Sequence, residues 1–290
     1  MDLSYLEAIF LGLVQGLTEF LPISSSGHLI VIPWLFDIPS PGLAYDAALH
    51  LGTLVAVLIY FRNEFIGMAR AIPRALQSPR ALITSVPETE TDRNARLLWL
   101  IALGCIPGAI VGALFESDID ELYHDANHET RAVVIVAIAM ILLGVALLVA
   151  ERIARHRRGL DSLNLKDALI IGVAQSLAAL VPGVSRSGAT ITAGLFRDFK
   201  RADAARFSFL LGAPLIAGAG AKSLLDVAGE GLNGREYGLF LVGIVTAAVS
   251  GLIAITFLLR FLQSQSTIVF VLYRFLFGLM VLALVVSGVK

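Results

Sequence analysis

The chain has 290 residues, of which 57% are hydrophobic and only 16% charged, with a mean hydropathy of +0.82. That composition excludes an ordinary soluble domain and points to an integral membrane protein. A net charge of −1 gives no general pull toward nucleic acid, which is not expected as a partner, and the single cysteine, Cys105, excludes an internal disulfide and reads as packing.

The N-terminal MDLSYLEAIF lacks the basic start and small-residue cleavage site of a signal peptide. Residues 3–36 are apolar but broken near the middle by Pro22 and the run PISSSGH (22–28). Each arm holds about 15 residues, roughly 22 Å of helix, enough to reach the bilayer middle but marginal for crossing. The segment is predicted to be a re-entrant helix-turn-helix hairpin. A first span follows near 48–61, with Asp46 and His50 at its mouth read as solvated ends. Further spans are predicted near 97–115, 132–150, 207–226, 238–259 and 268–288. A second broken segment, 166–197, carries PGVSRSGAT (182–190) and is predicted to be another hairpin. His124 and His128 fall in the loop between the second and third spans and read as exposed.

Loop charge sets the orientation. The 62–96 loop carries Arg62, Arg70, Arg74, Arg80, Arg93 and Arg96, the 151–166 linker carries Arg152, Arg155, Arg157, Arg158 and Lys166, and 197–206 carries Arg197, Lys200, Arg201 and Arg206. All three are cytoplasmic by the positive-inside rule. The acidic 116–131 loop and the base-poor 227–236 loop face outward. The first hairpin and both termini are then outside, and the second hairpin inside.

The two broken segments align: Gly12 with Gly172, Gln15 with Gln175, Leu17 with Leu177, Pro22 with Pro182, then after one inserted residue Ser24 with Ser185, Ser26 with Ser187 and Gly27 with Gly188. HLGT (50–53) falls on LLGA (210–213). One hairpin and three spans per half make the halves antiparallel. The expectation is therefore an all-α polytopic membrane protein with an inverted-topology repeat: six transmembrane helices and two re-entrant helix hairpins meeting near the bilayer midplane. It forms one membrane domain with halves of about 1–151 and 166–290, joined by a basic cytoplasmic linker. Broken backbone at that depth is tolerated only inside protein or along a wet cavity.

The halves differ in their ionisable groups, since Glu19 is matched by Ala179, His28 by Ala189 and Arg186 by Ser25. Charges at bilayer depth cost at least ~2.5–3.5 kcal/mol and are functional candidates. Arg186, at a helix start beside Ser185, Ser187 and Thr190, fits an anion site with a guanidinium fork for phosphate oxygens. The alternative is a buried ion pair with Glu19 that pins the halves together. Ser24, Ser25 and Ser26 offer a second helix start, as phosphate ligands, a nucleophile or plain N-caps. Gln15 and Glu19 share a helix face, so a divalent cation could bridge Glu19 and phosphate with Gln15 as a neutral ligand; the alternative is a protonated Glu19. His28 follows the turn and reads as base, acid, nucleophile or packing residue. Arg274, in YRF of the last span, requires an internal partner, either a carboxylate or the substrate.

QGLTE (15–19) with PISSSGH, together with PGVSRSGAT and continuing through HLGTLVAVLIYF to the late YRF, resembles the bacterial undecaprenyl-diphosphate phosphatase family that confers bacitracin resistance. Its motifs are Glu or Gln, three residues, then Glu, and Pro-Gly-x-Ser-Arg-Ser-x-x-Thr. The resemblance implies hydrolysis of a C55 polyprenyl diphosphate to the monophosphate at the outer face of the bacterial plasma membrane, recycling the peptidoglycan lipid carrier with Mg²⁺ or Ca²⁺. It implies Glu19, Ser25, His28 and Arg186 as catalytic residues, with Ser185 and Thr190 in support. Gln15 stands where the motif also admits a second carboxylate, so the motif here supplies one carboxylate, Glu19, and one amide. Membrane lipids are expected partners, and a homodimer is admitted. The phosphatidic-acid-phosphatase superfamily is set aside, because Thr192 stands where its motif needs histidine. An inverted-repeat transporter or polyprenyl-lipid flippase is the other functional class.

Overall fold

The computed structural model describes residues 3–39, 42–79, 83, 87–124, 129–230 and 233–288, and among these there is no β-strand beyond one isolated bridge between Arg158 and Phe199. Helix α1 (Tyr5–Phe20) starts at a capping box in which Ser4 and Glu7 satisfy each other's backbone amides. Pro22 ends it, and α2 (Ser25–Phe36) begins at Ser24. Helix α3 (Leu43–Tyr60) then bends by 75° into α4 (Arg62–Arg70), which is followed by α5 (Ile72–Gln77). Both short helices sit on the start of α6 (Glu90–His124), where the Trp99 indole donates to the Ala75 carbonyl and Arg74 pairs with Asp92. After α7 (Glu129–Ile153), an Asn164–Asp167 capping box opens α8 (Leu165–Leu180), broken in turn at Pro182 before α9 (Arg186–Phe196). Helices α10 (Arg201–Glu230), α11 (Gly234–Phe261) and α12 (Ile268–Ser287) complete the chain.

Five of these helices are long and apolar enough to cross a bilayer, and the bent α3–α4 pair makes a sixth candidate. Leu6, Leu142, Leu241, Ile253 and Leu276 stand exposed around the bundle, the surface a lipid phase covers. The protein is thus an all-helical, multi-pass membrane protein.

The expected elements recur with longer ends. Helix α6 continues to His124 and α10 to Glu230, so much of the two expected outward loops is helical. Arg80, Asp125 and His128 lie outside the described residues. The basic segments are also less solvated than loops. Arg158 and Arg197 both bind Asp167, Arg201 binds Glu151, and Arg206 binds Glu64. Burial favours a neutral Asp167 carboxyl, but the two guanidiniums outweigh it and hold its pKa below the usual carboxylate range.

Packing crosses between the halves. Helix α1 lies along α11, where a Cβ at Gly12 would stand 2.7 Å from the Gly243 carbonyl oxygen, and α8 lies along α6, where a Cβ at Gly172 would run into the Gly104 carbonyl. Small residues allow these backbones to touch, as between helices in lipid. Helix α3 packs on α10 and α7 on α12, closing the bundle around a core that includes Phe20, Phe61, Phe207 and Phe209.

Candidate active site

The two breaks have the same local construction. Ser24 and Ser185, the N-caps of α2 and α9, stand at φ +77° and +72°, where non-glycine residues are rare. Each costs about 1–3 kcal/mol and each is held by equivalent bonds. Ser24 Oγ accepts from the Gly27 amide at 3.2 Å and lies 3.3 Å from Ser26 Oγ. Ser185 Oγ accepts from the Gly188 amide at 3.0 Å and lies 3.2 Å from Ser187 Oγ. Each helix start has first-turn amides without an intrahelical acceptor, and the cap hydroxyl satisfies one of them.

Between the turns lies a buried polar cluster drawn from both halves. Arg186 donates through Nη2 to Glu19 Oε1 at 2.9 Å and through Nη1 to the Ser208 carbonyl at 3.1 Å. Ser25 Oγ donates to Glu19 Oε2 at 2.6 Å, and Gln15 Nε2 donates to the same oxygen at 3.2 Å. Ser187 Oγ crosses to the Glu19 and Leu21 carbonyls at 2.9 and 3.2 Å. Thr190 Oγ1 donates to the Arg186 carbonyl at 2.8 Å and meets Ser208 Oγ at 2.6 Å. The ion pair between Glu19 and Arg186, one of the two arrangements expected for that arginine, is therefore present. Room for it comes from Gly212 on α10, where any Cβ would fall on Arg186 Nη1.

Two expectations are corrected. The imidazole beside the carboxylate belongs to His50, whose Nε2 is 3.5 Å from Glu19 Oε2, and not to His28. His28 instead donates from Nδ1 to the Ser24 carbonyl at 2.6 Å and accepts at Nε2 from Tyr273. His50 had been read as a solvated end because it opens a span. Yet Leu210 is its counterpart in the second half, the same kind of departure from the repeat that singled out Glu19 and Arg186. Ser208 and Tyr273 were also missed: Ser208 carries no local motif that would have marked it, and Tyr273 stands in YRF, where only its neighbour Arg274 drew notice.

Arg274 meets neither a carboxylate nor an open cavity. It is fully buried, and it donates to the carbonyls of Pro22 at 3.1 Å, Gly183 at 2.8 Å and Met140 at 2.8 Å. The physical reason is that breaking two helices strands carbonyl oxygens at both turns, and a guanidinium has enough donors to serve both at once.

A divalent cation can be tested against the residues present. Among the described residues no group of three His, Cys, Asp or Glu side chains gathers. Gln15 Oε1, however, is buried without a hydrogen-bond partner beside the Glu19 carboxylate. One carboxylate and one amide oxygen suit a cation that takes its other ligands from substrate oxygens and water. The donor set fits on those terms.

Residues 8–280 match the family described as bacitracin resistance protein BacA. The chain is 49% identical to an undecaprenyl-diphosphatase of Thermomicrobium roseum, over 97% of this chain and 98% of that protein. It is 43% identical to one of Moorella thermoacetica over 97% and 98%, and 42% identical to one of Pelobacter propionicus over 99% and 100%. A match over nearly the whole length, carried by a chain in which Glu19 of one half meets Arg186 of the other, establishes that this protein belongs to the bacitracin resistance protein BacA family.

Proposed function

We infer that this chain is an undecaprenyl-diphosphatase, a hydrolase that cleaves the anhydride of a C55 polyprenyl diphosphate to give the monophosphate and phosphate, returning the lipid carrier to peptidoglycan synthesis. The observation that carries the reading is the buried contact of Arg186 with Glu19 and Ser25 between two matched helix starts, in a chain collinear with undecaprenyl-diphosphatases.

The chemistry asks for positive charge around the terminal phosphoryl group and for a group that handles a proton. Arg186 supplies the first, and its buried Nε has no protein partner, which leaves a donor for a phosphoryl oxygen. The amides at the starts of α2 and α9 add to the field, near the hydroxyls of Ser24, Ser26, Ser185, Ser187 and Thr190. Ser25, hydrogen-bonded to Glu19, has its proton directed at a carboxylate, as a nucleophile or an oriented hydroxyl requires. His50 provides the imidazole beside this group, 3.5 Å from Glu19 Oε2, while His28 binds the Ser24 carbonyl in the turn that presents Ser25. A bound Mg²⁺ or Ca²⁺, held by Glu19 and Gln15, would neutralise phosphate charge that one arginine cannot balance.

The finer architecture belongs to the same proposal. The shared construction at Ser24 and Ser185, and the reciprocal packing of α1 on α11 and α8 on α6, support two re-entrant hairpins in an inverted repeat. The distribution of arginines supports cytoplasmic placement of the basic segments, and the family resemblance implies a bacterial plasma-membrane protein whose site opens to the outer face. A homodimer is admitted, and light scattering of the purified protein tests for it.

Phosphate release from undecaprenyl diphosphate by the purified protein tests the reading. Wild type should turn over, and Glu19→Ala and Arg186→Ala should each lose at least about a hundredfold, since both remove a charged group at the reacting centre. Movement of lipid without phosphate release would favour the transporter class instead.

A further inference from the structure

The imidazole of His28 is held from several sides. Its Nδ1 stands 2.6 Å from the Ser24 carbonyl oxygen, and a carbonyl only accepts, so Nδ1 carries the proton. In the neutral ring Nε2 is then a lone pair, and the Tyr273 hydroxyl donates to it at 2.6 Å. Tyr273 and Phe277, one turn apart on α12, stack against the ring with centroids 5.6 and 4.5 Å away. His28 is 2% exposed and Tyr273 39%. The tyrosine is thus the cover between the imidazole and the outside of the bundle.

The second half shows what this arrangement adds. Ser185 adopts the same left-handed backbone as Ser24, with its carbonyl accepting from the Ala189 amide at 2.9 Å, but Ala189 has no side chain to add a second bond. That half presents Arg186, whose long side chain reaches its partner through its own torsions. The first half presents Ser25 at the equivalent position, and a side chain of one carbon has no such reach. The position of Ser25 Oγ against Glu19 is set by the backbone of the turn alone, so this turn needs the firmer hold. Adjacent residues of α12 provide it: Arg274 binds the Pro22 carbonyl, and Tyr273, through His28, fixes the Ser24 carbonyl.

We propose that Tyr273 is a further positioning residue for the reaction, fixing the tautomer and ring plane of His28 and through it the start of α2 that presents Ser25 to Glu19. The assignment rests on the phosphatase reading above.

Tyr273→Phe removes one oxygen and keeps the stack. The kcat for phosphate release from undecaprenyl diphosphate should fall about tenfold, the scale of one hydrogen bond. KM should stay within about twofold and the thermal midpoint within about 2 °C. The ¹⁵N resonances of His28 in histidine-labelled protein should leave the single-tautomer pattern of wild type. Tyr273→His, which restores an N–H donor on an aromatic ring, should recover most of the lost kcat. An unchanged kcat, unmoved His28 resonances, or a drop in thermal midpoint that accounts for the lost turnover would each overturn the proposal. A wild-type protein that releases no phosphate sinks the phosphatase reading instead, while the resonances still report whether Tyr273 sets the tautomer.

Discussion

At Gly212 a hydrogen atom stands where any other residue would put a carbon on the Arg186 guanidinium. The clash is with the far end of a flexible side chain, so Gly212→Ala should displace Arg186 without unfolding the bundle. Losing one charge-assisted hydrogen bond, worth about 1.5–3 kcal/mol, predicts a fall in kcat/KM of roughly ten- to a hundredfold with an unchanged thermal midpoint. Collapse of the fold in Gly212→Ala would show that the glycine serves packing instead. His50 allows a second prediction at this scale. Its imidazole faces Glu19 Oε2 from the more open side, with 30% of the side chain exposed against 4% for Glu19. His50→Ala should lower kcat/KM about tenfold and leave stability intact; a wild-type rate would remove it from the site. Glu19, Ser25 and Arg186 were legible in the sequence because each is a polar departure inside an apolar repeat. His50 met the same criterion and was lost only because residues at the mouth of a span are usually solvated.

Helix α12 shows why contacts are harder to read than elements. Its length and apolar content announce a span, and an arginine inside it announces a partner. The partner proved to be backbone, and no pattern of side chains signals an orphan carbonyl at a turn far away in sequence. Arg274 bonds both breaks, reaching Pro22 in the first half and Gly183 in the second. Arg274→Lys keeps the charge but loses the planar fork, so at least two carbonyls should be left without a donor, at about 1–3 kcal/mol each. The expected result is a fall in thermal midpoint on the order of 10 °C, together with loss of turnover as both turns loosen. A stable but inactive Arg274→Lys protein would move this residue from architecture to catalysis. The helix ends that the sequence misjudged have a related cause. Acidic residues after Phe115 read as a loop because they cannot lie in lipid, yet a helix can continue past the bilayer into water, as α6 does to His124.

Across the molecule, the apolar composition and the twice-written Pro–Ser–Gly segment made the helical membrane class and the paired breaks readable, because breaking a helix inside a bilayer needs proline, glycine and hydroxyls to satisfy freed backbone. Which helix packs on which was not readable: Gly12 against Gly243 and Gly172 against Gly104 are matches of absent side chains, and glycine is common in membrane helices for several reasons. An inverted arrangement of the halves, as proposed above, would have a consequence that side-specific labelling can reach. Helices α1 and α8 both begin at capping boxes, at Ser4, which is exposed, and at Asn164, which is partly exposed. If the halves are antiparallel, these equivalent starts lie on opposite faces of the membrane. Cys105 is buried, so Cys105→Ala gives a background without thiols at little structural cost. In that background Ser4→Cys should react with a membrane-impermeant maleimide applied to the outer face of spheroplasts. Asn164→Cys should react only after the cytoplasmic face is opened. Labelling of both from one side would make the halves parallel, bring both broken helices in from the same face, and leave the meeting of Arg186 with Glu19 without the symmetry that explains it.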